Sequence, residues 1–93
     1  MTLTEACNVL HVDEGNNDGL IYSLTEALPG YIEMSTGYPA SLQYQEPLVN
    51  VVEGLILTQW YYADHADDQA LTRSINALLK VITLKAKEIE NES

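Results

Sequence analysis

Positive charge is almost absent from the first three quarters of this 93-residue sequence. The basic residues are Arg73, Lys80, Lys85 and Lys87, whereas 11 of the 14 acidic residues precede Arg73, and the formal net charge is -10. Nucleic-acid binders neutralise phosphates with Lys and Arg. The charge balance therefore argues against a nucleic-acid binder and, on the same grounds, against attachment to an anionic membrane.

Cysteine and long apolar runs are also scarce. The single Cys7 cannot form an internal disulfide, so we expect a buried structural thiol in a reducing compartment. Apolar runs such as Leu55-Ile56-Leu57 are too short to span a bilayer, and the first residues lack the pattern of an export signal. We expect a soluble, unexported protein, and the length allows one domain over residues 1–93.

Helical patterns are abundant. Thr2 and Glu5 form a capping-box motif that predicts a short first helix. A second helix is expected from Asn17 or Asp18 to near Gly37. Its predicted rows are Leu20, Leu24, Ala27 and Tyr31 on one face, with Ile21, Leu28 and Ile32 beside them.

Proline marks two further boundaries. Pro29-Gly30 predicts a kink or restart in the second helix, and Pro47 predicts the first residue of a third helix. Residues 36–46 read as a surface loop, and the third helix is apolar on nearly all faces as far as Tyr62.

A last apolar pattern includes Ile75, Leu78, Leu79, Ile82 and Ile89, and predicts a C-terminal helix with residues 86–93 as a flexible tail. The expected fold is all-α: a bundle of about four helices, with a short N-terminal helix, two longer antiparallel helices and a C-terminal helix.

Motifs for metal binding or catalysis are weak. The segment from Glu14 to Gly19 resembles the start of a calcium loop, but Thr25 occupies the position of the bidentate acid. His65 lies among acidic residues in what reads as an exposed turn, where solvated carboxylates are the usual outcome. We find no activated nucleophile and no phosphate-binding glycine loop, and we expect no enzyme activity, no metal and no cofactor.

The order of motifs resembles the head-tail connector (adaptor, head-completion) proteins of tailed bacteriophages. The similarity covers most of the chain. It begins with Thr2-Leu3-Thr4-Glu5-Ala6 and Leu10-x-Val12-Asp13, and continues through Asp18-Gly19-Leu20-Ile21, Tyr31-Ile32-Glu33-x-x-Thr36-Gly37-Tyr38-Pro39, Trp60-Tyr61 and Ile75-Asn76-Ala77-Leu78-Leu79.

This resemblance implies a structural virion protein at the head-tail joint, present in the host cytoplasm during assembly. Its copies would form a homo-oligomeric ring, twelvefold on the portal protein, that extends the DNA channel and receives a stopper or tail-completion protein. Genomic DNA would pass without specific binding, because an acidic channel wall repels phosphate.

Residues can be assigned to these roles as expectations. Candidates for the subunit interface or the core are Leu48, Val52, Leu55, Ile56, Trp60 and Tyr61. Candidates for portal docking are Lys80, Lys85, Lys87 and Ile89, and candidates for the acidic channel wall are Asp64, Asp67 and Asp68.

A different function is compatible with the charge. A small acidic DNA mimic would use carboxylates in place of a phosphate track to inhibit a nucleic-acid-binding host defence enzyme. However, the acidic residues before Arg73 are sparser than the phosphates of a duplex, which carries one charge per about 1.7 Å of axis.

Overall fold

A computed structural model describes residues 1–62 and 68–92, and these form an all-α bundle. The helices are α1 (Leu3–Leu10), α2 (Asp18–Thr36), the 3₁₀ helix η1 (Ala40–Gln45), α3 (Pro47–Tyr61) and α4 (Gln69–Glu92). The structure is 83% helical, and the described residues contain no strand. The predicted fold class is confirmed.

Helix α3 lies at the centre of the bundle. It packs against α1, α2, α4 and η1, and α2 also packs against α4. Hydrogen bonds from Asn17 to Tyr61 and from Gln59 to Thr72 show that α3 runs antiparallel to both α2 and α4. The core comprises Ala6, Cys7, Leu10, Ile21, Leu28, Ile32, Tyr38, Val49, Val52, Ile56, Leu57, Ile75, Ile82 and Ala86.

Helix α1 is closed at both ends by local hydrogen bonds. The Thr2 hydroxyl accepts from the Glu5 backbone amide, and the Glu5 carboxylate accepts from the Thr2 amide, so the predicted capping box is present. His11 ends the helix in the left-handed conformation, with φ 59°. The Tyr62 hydroxyl donates to the Leu10 carbonyl at 2.6 Å and ties this end to α3.

Helix α2 passes through Pro29 without a break, so the predicted restart is wrong. Proline removes one backbone donor but not its own carbonyl. The Pro29 carbonyl accepts a hydrogen bond from the Gln43 side-chain amide at 3.0 Å. The helix ends as predicted at Gly37, which has φ 82°.

The two predicted rows of α2 have different environments. Ile21, Leu28 and Ile32 are completely buried, whereas Leu20 is 53% exposed and Tyr31 is 42% exposed. The second row therefore faces the core, and of the first row Leu24 is half-buried and also packs against it. A helix can bury one stripe against its neighbours, and Leu20, Ala27 and Tyr31 are left exposed.

Residues 36–46 are more ordered than a surface loop, because they contain η1 and four buried residues: Thr36, Tyr38, Gln43 and Glu46. The Gln43 amide also donates to the Tyr38 carbonyl at 3.2 Å. A buried amide without partners would be costly, and these hydrogen bonds satisfy it.

Residues 86–92, which we expected to lie in a flexible tail, belong to α4 instead. Ala86 is 7% exposed, and Ile89 packs against the core. The apolar spacing from Ile75 through Ile82 continues through these two residues, so the helix has a packing surface almost to its end.

Candidate functional site

The six candidate residues of α3 belong to the bundle itself. Val52 and Ile56 are buried, and the other four are half-buried and pack against the core: Leu48, Leu55, Trp60 and Tyr61. Trp60 makes an edge-to-face contact with Tyr31 at 5.2 Å between ring centroids. Apart from Val51, which is 53% exposed, the broad apolar surface of α3 is thus explained by the helices around it within one chain.

Exposed apolar surface lies on α2 instead. We call Leu20, Ala27, Tyr31 and Met34 the α2 outer row. All four are exposed, and Met34 reaches 90%. Leu20, Ala27 and Met34 are spaced seven residues apart, which places them in a nearly straight line because a straight helix drifts only about 20° per seven residues.

A comparable row lies on α4, on the side away from the core. We call Ala70, Ala77, Val81 and Leu84 the α4 outer row, and all four are exposed, with Leu84 at 55%. Ala70, Ala77 and Leu84 repeat the seven-residue spacing of the α2 outer row.

Charged side chains flank both rows. Arg73, Lys80 and Lys87, also seven residues apart, are exposed beside the α4 outer row. Glu26 and Glu33, with the same spacing, are exposed beside the α2 outer row. Rows of opposite charge with matching repeats therefore border two apolar rows.

Two of the four portal-docking candidates have roles within the chain. The Lys85 ammonium lies 3.1 Å from the Glu46 carboxylate, and Ile89 is half-buried against the core. Lys80 and Lys87 are exposed. Neither forms an ion pair with another side chain that the structure describes. Only these two remain as candidates for a contact with another molecule.

Of the three candidates for the acidic channel wall, the structure describes Asp68. Asp64 and Asp67 lie outside the described residues. Asp68 is exposed, and its carboxylate accepts a hydrogen bond from the Leu71 amide at 3.0 Å, so it caps α4. A carboxylate is favourable at a helix N-terminus because it satisfies free amides and complements the helix dipole.

Several other acids are likewise held by backbone amides or hydroxyls. Such hydrogen bonds involve Glu5, Glu14, Asp18, Glu33 and Glu46. Much of the acidic charge therefore closes helices and turns. This use of carboxylates differs from an evenly spaced track that copies the phosphates of a duplex.

Glu53 is a buried carboxyl group that lines a cleft. Glu53 is 7% exposed and lines a cleft of about 210 Å³ together with Met1, Pro29, Ala40, Gln43, Tyr44 and Asn50. Burial raises the pKa of Glu53, and the negative charge of Glu5 adds to this, whereas the chain's amino group opposes it. Besides this carboxyl group, the polar lining of the cleft comprises the Tyr44 phenol and the side-chain amides of Gln43 and Asn50.

The described residues show no grouping of three or more His, Cys, Asp or Glu side chains that could hold a metal ion. Cys7 is 2% exposed, and its pKa is raised by burial and then by nearby Asp18, Glu14 and Asp13. A thiol in this environment is a poor nucleophile. His65 lies outside the described residues.

Leu20, Ala27 and Tyr31 belong, with Leu24, to a predicted apolar row of α2, but the exposure of these three could not be anticipated. Met34 and the α4 outer row were not selected at all. The signal that could have found them is the seven-residue spacing of apolar residues next to charges of one sign.

No protein-family model matches this chain, and neither a curated protein nor a solved structure does. Among the helices of the described residues, none is both long enough and apolar enough to cross a membrane.

Proposed function

We propose that this protein is a structural subunit of a tailed-bacteriophage head-tail connector. Its copies form a ring beneath the portal protein, extend the DNA channel, and receive a stopper or tail-completion protein on the far side. The ring is twelvefold on the portal. The protein belongs to the virion at the head-tail joint and is in the host cytoplasm during assembly.

The observation that carries this proposal is the presence of two exposed apolar rows on a bundle whose core is already complete. Nine large side chains are fully buried, yet Leu20 and Met34 on α2 and Leu84 on α4 stay more than half exposed. Single exposed apolar residues are common, but rows aligned along a helix are typical of interaction surfaces.

The resemblance to connector proteins supports the same function. Its segments coincide with the capped start of α1, the start and the glycine end of α2, the end of α3 and the middle of α4. A subunit with two different exposed apolar rows can bind its neighbours through unlike faces. Such heterologous contacts close into a ring when the rotation between subunits permits.

The charge suits a DNA channel. A ring repeats the net charge of -10 in every copy, and DNA passing an acidic wall is repelled instead of held. Asp68 and the segment that contains Asp64 and Asp67 are our candidates for this wall. Lys80 and Lys87 are the candidates that remain for docking on the portal.

The test is co-expression with the portal protein encoded in the same phage or prophage genome. Native mass spectrometry and negative-stain microscopy should show a ring of this chain on the portal oligomer. A chain that never joins the portal, at any concentration, would contradict the connector function. If the same chain were a monomer that captured a nucleic-acid-binding defence enzyme, the DNA-mimic function would replace it.

A further inference from the structure

We infer that the cleft beside Glu53 binds one cationic side chain of a partner protein, a lysine or an arginine. The cleft is formed by residues of η1 and α3 together with Met1 and Pro29. It shares no residue with the α2 or α4 outer row. The inference therefore goes beyond the proposed connector function and does not depend on the ring.

The carboxyl group of Glu53 is buried without a partner. The residue is 7% exposed, yet its carboxyl group forms no hydrogen bond and no ion pair with residues 1–62 or 68–92. Every fully enclosed polar side-chain atom in this part of the chain does have a hydrogen-bond partner. The Glu53 oxygens are therefore not enclosed, and they open onto the cleft that the side chain lines.

Gln43 supplies a second hydrogen-bond acceptor. Its amide nitrogen donates to the carbonyl oxygens of Pro29 at 3.0 Å and Tyr38 at 3.2 Å, which fixes the orientation of the amide because only the nitrogen can donate. Its own side-chain oxygen accepts no hydrogen bond from the described residues, so this atom is not enclosed either. Gln43 is 5% exposed. Two side chains that are more than nine-tenths buried therefore present free acceptors at one cleft.

The charge of this cleft selects a cation. Its described lining contains one carboxyl group and no basic side chain. The charge of Glu5 disfavours ionisation of Glu53 and the chain's amino group favours it, but that amino group forms no ion pair with the Glu53 carboxyl group. A buried carboxylate without a counter-charge is unfavourable, and a cation with N–H donors would both pair with it and bond to the second acceptor.

The size and the walls of the cleft favour a side chain over a metal ion or a larger ligand. Its volume of about 210 Å³ is below the roughly 300–1,000 Å³ of pockets that enclose drug-sized ligands. Met1, Pro29 and Ala40 form apolar walls, and the methylene stems of lysine and arginine pack well on such surfaces. A divalent cation needs a shell of oxygen ligands, which these walls do not offer.

An NMR titration of the folded chain with three capped tripeptides tests this inference. Their central residues are lysine, arginine and glutamine, so two peptides carry a cationic side chain and the third is a neutral control at the same ionic strength. We expect the cationic peptides to shift the side-chain amide signals of Gln43 and Asn50 saturably, and the glutamine peptide to leave them unchanged. Equal shifts with all three peptides, or no saturable shift with any, would overturn the site.

Two further titrations address other occupants. Butylammonium carries the cation of lysine without a peptide backbone. Binding of butylammonium but of neither cationic peptide would overturn the assignment to a partner protein, because the cleft would then admit free amines alone. Shifts caused by Ca²⁺ or Mg²⁺ and by none of the organic cations would overturn the inference in favour of a metal site.

A pair of variants separates the cleft from general attraction to an acidic protein. Glu53→Gln removes the charge and keeps the shape, and Glu88→Gln makes the same change in net charge at an exposed position of α4. Glu53→Gln should weaken binding of the lysine peptide about tenfold, as for loss of a charge-assisted hydrogen bond. Glu88→Gln should change it less than about twofold. Equal weakening by both variants would overturn the site.

A measurement on the unmodified chain does not depend on how the variants fold. A bound cation favours the charged form of a carboxyl group. Carboxyl-carbon NMR should therefore show a lower pKa for Glu53 with saturating lysine peptide than with the glutamine peptide, and an unchanged pKa would contradict binding at this cleft. Since none of these experiments uses the portal, their failure would leave the connector function standing, and failure of the ring would leave the cleft.

Discussion

The Lys85 ammonium lies 3.1 Å from the carboxylate of Glu46, which also accepts a hydrogen bond from the Leu48 amide. One side chain therefore both caps α3 and pairs with α4. The Glu46 side chain is 12% exposed and that of Lys85 is 42% exposed. The two partners should not contribute equally to stability.

Replacing Glu46 should cost more than replacing Lys85. Glu46→Ala removes the cap and the ion pair, and we expect the free energy of unfolding to fall by about 1–2 kcal/mol. Lys85→Ala should cost at most about 1 kcal/mol, because an exposed partner is screened by solvent. Urea unfolding of the two single variants and of the double variant measures these free energies. Equal losses for Glu46→Ala and Lys85→Ala would contradict the capping role of Glu46.

Gly30 inside α2 and Gly37 at its C-terminal cap should respond to alanine in opposite directions. Gly30 is inside the helix and has open space where a Cβ would be added, so Gly30→Ala should stabilise the chain by about 0.5–1 kcal/mol. Gly37 has φ 82°, so Gly37→Ala should destabilise it by about 1 kcal/mol. Thermal unfolding measures both variants. If Gly30→Ala gave no gain in stability, α2 would be broken at Pro29 and not continuous through it.

Glu53 should make the chain less stable as pH rises. Its folded-state pKa is raised by burial. The folded chain therefore binds this proton more tightly than the unfolded chain, and the benefit is present below the ordinary Glu range and is lost as pH rises through the raised pKa.

Removal of this charge gives the test. Glu53→Gln should be more stable than the unmodified chain at pH 7, by on the order of 1 kcal/mol, and the difference should vanish in acid. Unfolding curves from pH 3 to pH 8 would show it. A stability difference that does not change with pH would indicate a packing effect instead.

Assembly should depend on Met34 and not on an equally exposed residue elsewhere. Met34 is 90% exposed, so Met34→Lys should change the free energy of unfolding by less than about 0.5 kcal/mol. It should nevertheless abolish the ring on the portal, because a charged side chain in the α2 outer row opposes burial of that row against another subunit.

Tyr44→Lys is the matched control, because Tyr44 is 81% exposed and lies on η1 outside both outer rows. Electron microscopy of both variants with the portal, together with urea unfolding, completes the comparison. Loss of the ring in both variants, or in neither, would show that the α2 outer row has no special part in assembly.

The sequence alone determined the local structure. The capping box of Thr2 and Glu5, the glycine end of α2 at Gly37 and the start of α3 at Pro47 are short-range features, and all three are present as predicted. The all-α class followed from apolar spacing, because helical periodicity is a property of neighbouring residues.

Only the tertiary structure decided which apolar surface is used. Leu20 and Ile21 are adjacent in the sequence and equally apolar in pattern, yet Leu20 is 53% exposed and Ile21 is completely buried. Packing also placed two residues of the α3 candidate set in the core and the other four against it, and it paired Lys85 with Glu46. Burial depends on how distant helices meet, and no spacing rule within one helix contains that information.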